Sequence, residues 1–232
     1  MVTSEKETFS EQTIGVVGAA GDLGRKVART AERRGFTVFE SDKRLLGSAS
    51  LGALMENSDI VHFCIPASGF EEIHELHPDQ VAVLHDSVMA TSLATNAEFF
   101  GGQADIVHML MNKSKTVVVE ENSPHLDSVR THMKALGWRS ASMSAREHDE
   151  MAASSQAIFA LGVSMQLPKL ATWHEEGLLT PSAEAAYNAF LDRSAKWTPQ
   201  TLNSILSNPE LPKTLEEMLQ FLEDRKKKHD DE

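Results

Sequence analysis

Six short apolar runs punctuate the first half of the chain: TIGVVG (13–18), FTVFES (36–41), DIVHFCIP (59–66), VAVLHD (81–86), ADIVHML (104–110) and KTVVVEE (115–121). Each has strand length and β-branched content, and polar stretches separate them. Runs that are apolar at consecutive positions suit strands buried on both faces. Their alternation with helical stretches predicts an α/β fold built on a Rossmann-type, doubly wound, mostly parallel sheet. Residues 125–136 read as one more covering helix, and GWRSASMS (137–144) as a last strand.

From Ala145 the pattern changes. AREHDEMAASSQAIFALGVSMQLPKL is one long helical run, and no later stretch reads as a strand, so a small all-helical C-terminal domain is expected. The expected organisation is a polar N-terminal tail at 1–12, a sheet domain at 13–144, a helical domain at 145–225 and a charged tail at 226–232. Two further helices are expected at 182–194 and 214–225, the second with Thr214 as its N-cap. Pro181, Pro199, Pro209 and Pro212 read as punctuation of the connections.

Composition narrows the class. With 232 residues, 41% hydrophobic and 24% charged, the chain has the balance of a soluble globular protein. No apolar run approaches the roughly 20 residues needed to span a membrane. The opening MVTSEKETFSEQ is polar and acidic where a signal peptide is basic and then apolar, so a cytoplasmic location is expected and no membrane partner. A single cysteine, Cys64, excludes an internal disulfide and a cysteine-based zinc site, and its apolar run marks it as an inert core thiol. A formal charge of −12 argues against a nucleic-acid partner, whose phosphates it repels. The acids and histidines show no metal-ligand spacing.

Chemistry first enters at the turn after the first run. Gly18, Ala19, Ala20, Gly21, Asp22, Leu23 and Gly24 lie where a strand must turn sharply into a helix beginning near Asp22. Glycine there lets the backbone approach a pyrophosphate, and the helix N-terminus offers it N–H groups and partial positive charge. Gly24 lets that helix pack close to the strand. The first glycine of G-x-G-x-x-G falls on Ala19, with Gly18 before it. A strand before, a helix after and acids ending the next strand point to a nicotinamide dinucleotide. Of those acids, Glu40 and Asp42, the second is expected at the strand tip, accepting hydrogen bonds from the adenosine ribose hydroxyls. That favours NAD; NADP stays open because Lys43 and Arg44 follow. Pro66, ending the third run, is expected to border the cofactor or simply to terminate the strand.

Two more residues stand at run ends on the expected ligand edge: Ser87 after VAVLHD and His108 in ADIVHML. A hydroxyl and an imidazole placed there can meet around one reacting group, and histidine suits proton handling at an alcohol losing hydride. His62 reads as a packed core histidine, and His74, His77 and His125 as surface residues. His148 and Asp149 open the long helix, where Glu147 and Asp149 also suit a helix N-terminus. Met109, Met111, Met143, Met151 and Met165 read as core filler or pocket lining.

Together, GVVGAAGDLG, VHFCIP, HDSVMATS, IVHMLMN and AREHDEMAASSQAI resemble, in order, the prephenate and arogenate dehydrogenases of tyrosine biosynthesis, the enteric type in particular. The likeness runs from Thr13 to Ala160 and continues more faintly through SNPELPKTLEEML. It carries His108 onto the family's catalytic histidine, Ser87 onto the serine that hydrogen-bonds it, and His148-Asp149 onto the family's His-Asp signature, with Asp149 among the catalytic residues. What the resemblance implies is NAD-dependent oxidative decarboxylation of a small cyclohexadienyl acid, and a homodimer formed through the C-terminal helices. Asn112, Lys113, Gln156 and Arg193 are the candidates for holding the substrate. The chain departs from the family at several positions: His108 is followed by Met109 rather than proline, Asn112 replaces a glycine, Met89 a lysine, and the stretch before KTVVV is short. A helix histidine falls on Ala160 and a carboxylate-binding arginine near Glu184. Those two changes favour the alternatives, a noncatalytic dinucleotide-binding relative or a dehydrogenase or reductase acting on another small substrate.

Overall fold

A computed structural model of the chain describes residues 12–66, 69–70, 76–110, 114–195 and 197–230. The chain divides into two compact units, Met1–Arg146 and Glu147–Glu232.

The first unit runs β1 (Thr13–Val17), α1 (Asp22–Arg33), β2 (Thr37–Ser41), α2 (Leu51–Glu56), β3 (Ile60–Phe63), β4 (Val81–His85), α3 (Met89–Phe100), β5 (Asp105–Met109), β6 (Thr116–Glu120), α4 (Leu126–Ala135) and β7 (Arg139–Met143). The strands form one seven-stranded sheet in the order β2-β1-β3-β4-β5-β6-β7. Every neighbouring pair is parallel except β5 with β6. The short stretch between β5 and β6 explains that exception, because a parallel crossover needs a dozen or more residues whereas an antiparallel return needs few.

Continuous apolar runs appear because both faces are covered. On one face Ile14, Val16, Val83, Val107, Val117 and Val119 pack with Val27, Ala28 and Ala31 of α1 and Val129 and Met133 of α4. On the other, Val61, Phe63, Leu84, Ile106 and Val118 pack with Leu54 of α2 and Met89 and Phe100 of α3. The chain leaves β1 for β2 on one side and returns to β3 on the other, so the order reverses at β1 and β3. In open α/β sheets the crevice beyond the carboxyl ends of two such strands is where ligands bind.

In the second unit the long helix is interrupted. Helix α5 (Ala145–Ala152), which starts at the end of the first unit, passes through a π-helical turn (Ala153–Ala157) into α6 (Ile158–Glu175). Then come α7 (Pro181–Ser194), α8 (Pro199–Leu206) and α9 (Leu211–Asp230). Pro181 and Pro199 begin helices rather than separate them: the Thr180 and Thr198 hydroxyls accept hydrogen bonds from Ala183 N and Thr201 N, and each proline sits in the first turn, where its missing N–H costs nothing. Thr214 lies inside α9, donating to the Glu210 carbonyl, and the Asn208 side chain accepts from Glu210 N where that helix begins. Ala157, Ala160, Ile205 and Leu211 form the core of this unit, with Trp197, Leu202 and Leu215 packed against them. Among the described residues no helix is long and apolar enough to cross a membrane.

Candidate functional site

The turn between β1 and α1 is shaped by what a side chain would strike. A Cβ on Gly18 would lie 2.6 Å from the Cys64 carbonyl oxygen and 2.8 Å from Ile65, and φ there is +83°, so only glycine fits. A Cβ on Gly24 would strike the Gly18 carbonyl, which presses the first turn of α1 against the end of β1. Ala19 is 3% exposed and part of the core, so the position that departs from G-x-G-x-x-G faces inward and needs no glycine. Gly21 caps α1 with extended backbone and no side-chain hydrogen bond. The first-turn N–H groups of Asp22, Leu23 and Gly24 therefore receive no side-chain cap, and the helix presents them with its partial positive charge. Pro66, exposed, follows Ile65 at the end of β3 beside this turn, and its carbonyl accepts from Gly69 N at 2.8 Å. Such a cradle fits a dinucleotide pyrophosphate.

Asp42 does not present the open carboxylate that its place at the tip of β2 led us to expect. Its Oδ1 accepts from Arg44 N at 2.9 Å and Arg44 Nε at 3.0 Å, and its Oδ2 from Arg44 Nη2 and Ala20 N, each at 3.0 Å. The carboxylate is 7% exposed while the Arg44 side chain is 68% exposed. These hydrogen bonds, Arg44 foremost, hold the Asp42 pKa down at about 2. A second guanidinium, Arg25, donates to the Ala20 carbonyl at 2.7 Å on the same turn.

Farther along the edge, His85 of β4 pairs with Val107 of β5, so Ser87 and His108 stand just beyond neighbouring positions of adjacent strands. His108 is 8% exposed and Ser87 half-buried. One residue before Ser87, and level with His108 when the register is continued, is Asp86, which sequence reasoning missed. Its carboxylate accepts from Ser87 N at 2.6 Å and Ser92 Oγ at 3.1 Å, anchoring the start of α3. A Ser/Thr/Asp-rich strand end before a helix is the available signal.

In the helical unit, His148 is fully buried, with its Nδ1 2.8 Å from Asp149 Oδ1. The Asp149 carbonyl accepts from Asn208 Nδ2 at 2.9 Å. Gln156 is half-buried within the π turn. Arg193 is exposed on α7, its guanidinium 5.8 Å from the Trp197 ring centre. Ala160 is 0% exposed in the apolar core, and Glu184 is exposed in the first turn of α7. Asn112, Lys113, Met111 and His74 lie outside the described residues.

Two histidine readings change. His125 is not a simple surface residue: its ring Nδ1 is 3.0 Å from the Asp105 Oδ2, and Asp105 is fully buried. His62 is in the core, but in a chain of imidazoles. Its Nδ1 lies 2.8 Å from His85 Nε2 and its Nε2 lies 2.8 Å from His132 Nε2 of α4. Burial, reinforced by neighbouring histidines for His62 and His85, lowers all three pKa values, to about 3 for His85 and about 4 for His132. Among the described residues no group of three or more His, Cys, Asp or Glu is placed to hold a metal ion.

No protein-family model matches the sequence, and no curated protein does. Solved structures do match. A prephenate dehydrogenase from Aquifex aeolicus, in complex with hydroxyphenyl propionate and NAD+, superposes with a TM-score of 0.76 at 19% identity, over 95% of this chain and 91% of the other. An arogenate dehydrogenase from Synechocystis gives a TM-score of 0.69 at 15% identity, over 91% of this chain and 90% of that one. The chain therefore has the fold of the prephenate and arogenate dehydrogenases.

Proposed function

We propose that the chain is an NAD-dependent dehydrogenase of the prephenate type, one that oxidatively decarboxylates prephenate, arogenate or a related cyclohexadienyl acid. The observation that carries this reading is the shared sheet edge: the glycine cradle after β1 and the Ser87–His108 positions after β4 and within β5 lie at carboxyl ends of one parallel set of strands. A likeness in fold to a prephenate dehydrogenase crystallised with NAD+ and hydroxyphenyl propionate supports it.

In this reading Gly18, Gly21 and the first turn of α1 hold the pyrophosphate, and Pro66 borders the nicotinamide half. Bound NAD supplies the hydride acceptor. His108 accepts a hydrogen bond from the ring hydroxyl and stabilises positive character on the carbinol carbon as hydride leaves it, and Ser87 orients the imidazole. The carboxylate departs as carbon dioxide, its bonding electron pair enters the ring, and the hydroxyl keeps its proton in the phenolic product. Aromatisation drives the step, so the protein mostly positions and polarises. Asp149 acts by fixing the His148 imidazole through Nδ1. Gln156, Lys113, Asn112 and Arg193 are the side chains proposed to meet the substrate. A homodimer through the C-terminal helices and a cytoplasmic location belong to the same proposal.

Two observations favour a second reading, a noncatalytic dinucleotide-binding protein: Ala160 is sealed in an apolar core, and Glu184 puts a negative charge near the position onto which the family resemblance carries a cation for the substrate carboxylate. Turnover decides. Purified protein with NAD and prephenate or arogenate is expected to accumulate reduced cofactor, and His108→Asn to slow this by roughly 10²–10⁴-fold with NAD affinity unchanged. NAD binding without turnover of either acid overturns the proposal and leaves the second reading and a dehydrogenase or reductase acting on another small substrate.

A further inference from the structure

The Asp42–Arg44 pair bears on which dinucleotide the cradle takes, an inference that rests on the cofactor reading above. A carboxylate has about four acceptor positions, and four donors from Arg44 and Ala20 already lie on Asp42. Ribose hydroxyls arriving at the tip of β2 therefore meet an acceptor already engaged. What faces them is the guanidinium: Arg44 is 68% exposed, and its Nη2 lies 3.9 Å from where a Cβ on Gly21 would stand. Two of the five N–H groups of that guanidinium, one on Nε and one on Nη2, donate to Asp42, which fixes its plane without covering it. Arg25 adds a second cation on the same turn, and Lys43 stands exposed beside Arg44. A planar, preoriented guanidinium at a helix N-terminus is suited to bidentate contact with a phosphate.

We propose that Arg44, held in place by Asp42, is the receptor for an adenosine 2′-phosphate, so that the site takes NADP as well as NAD. Asp42 then serves as a scaffold for the cation rather than as a ribose ligand. The pair presents no net negative charge at the tip of β2, so the repulsion by which an open carboxylate excludes a 2′-phosphate is cancelled there.

Calorimetric titration of the full chain with NAD+ and with NADP+ tests this without any turnover. The wild type is expected to bind both. Arg44→Ala is expected to weaken NADP+ by about 10–100-fold, the worth of a lost charge-assisted contact, and to leave NAD+ affinity undiminished or raised, because the Asp42 carboxylate freed of the guanidinium can accept from the ribose hydroxyls; retained NAD+ binding also shows that the variant folds. Arg44→Lys keeps the charge and loses the fork, so its NADP+ affinity should fall between. NAD+ binding with no measurable NADP+ binding overturns the inference alone, as does an Arg44→Ala variant with an unaltered ratio of the two affinities. Binding of neither dinucleotide overturns the cofactor reading and this inference with it.

Discussion

Gly24 shows how one missing methyl group sets the geometry of the candidate site. Its Cα approaches the Gly18 carbonyl so closely that any Cβ would strike backbone, which cannot swing aside as a flexible side chain could. Gly24→Ala is therefore expected to cost about 1–3 kcal/mol of stability by forcing α1 away from β1, and to weaken dinucleotide binding more than tenfold. Urea unfolding and NAD+ titration of the one variant measure both. This turn was legible in the sequence because the demand is on the backbone, and the glycines state it directly. The partner of Asp42 was not. Whether the carboxylate opens to solvent or folds back on Arg44 depends on side-chain direction two residues along, which residue types alone do not settle. Ser87 and His108 were legible as strand-end residues; Asp86 was not, since its worth lies in the Ser87 N–H and the Ser92 hydroxyl that the turn and α3 bring to it.

At the scale of elements, the strands could be read because burial on both faces leaves unbroken apolar runs. Helices α2 and α8, of 6 and 8 residues, are too short to show a period, and α9 starts earlier than Thr214, at Leu211, just after the turn in which the Asn208 side chain accepts from Glu210 N. The imidazole chain was invisible for a different reason. His62, His85 and His132 come from β3, β4 and α4, and only the register of β3 with β4 and the seating of α4 bring them together. Its consequence is a stability that depends on pH. Each ring is held neutral, with its pKa lowered from the usual 6.5 to about 3 for His85, about 4 for His132 and well down for His62. The unfolded chain therefore binds protons that the folded chain refuses. The contribution is full above the unfolded pKa near 6.5 and is lost progressively as pH falls toward 4. Urea midpoints should drop over that interval. His62→Phe should be less stable at pH 8, because it strands two buried ring nitrogens, yet should lose less stability on acidification.

Among the described residues of the whole molecule, most of the exposed large apolar side chains lie in the helical unit. Met165, Trp173, Leu178 and Leu191 are 47–66% exposed, and Met218, Leu219, Phe221 and Leu222 of α9 are 44–60% exposed. Side chains of that size left facing water, those of α9 at helical spacing, are the reason for expecting a second copy of the chain to cover them. The full chain is expected to sediment as a dimer, and Leu219→Asp with Leu222→Asp to sediment as a monomer that still binds NAD. The first unit offers a different kind of order. Three neutral imidazoles joined by two hydrogen bonds can carry their protons in two arrangements, one leaving the outer N–H on Nδ1 of His85 and the other leaving it on Nδ1 of His132, atoms with no other hydrogen-bond partner. The two arrangements have opposite dipoles along a line running from α4 through β3 to β4. The core of the sheet thus holds one of two electric polarities, and exchanging them takes one proton off the outer Nδ1 at one end and puts another on the outer Nδ1 at the other.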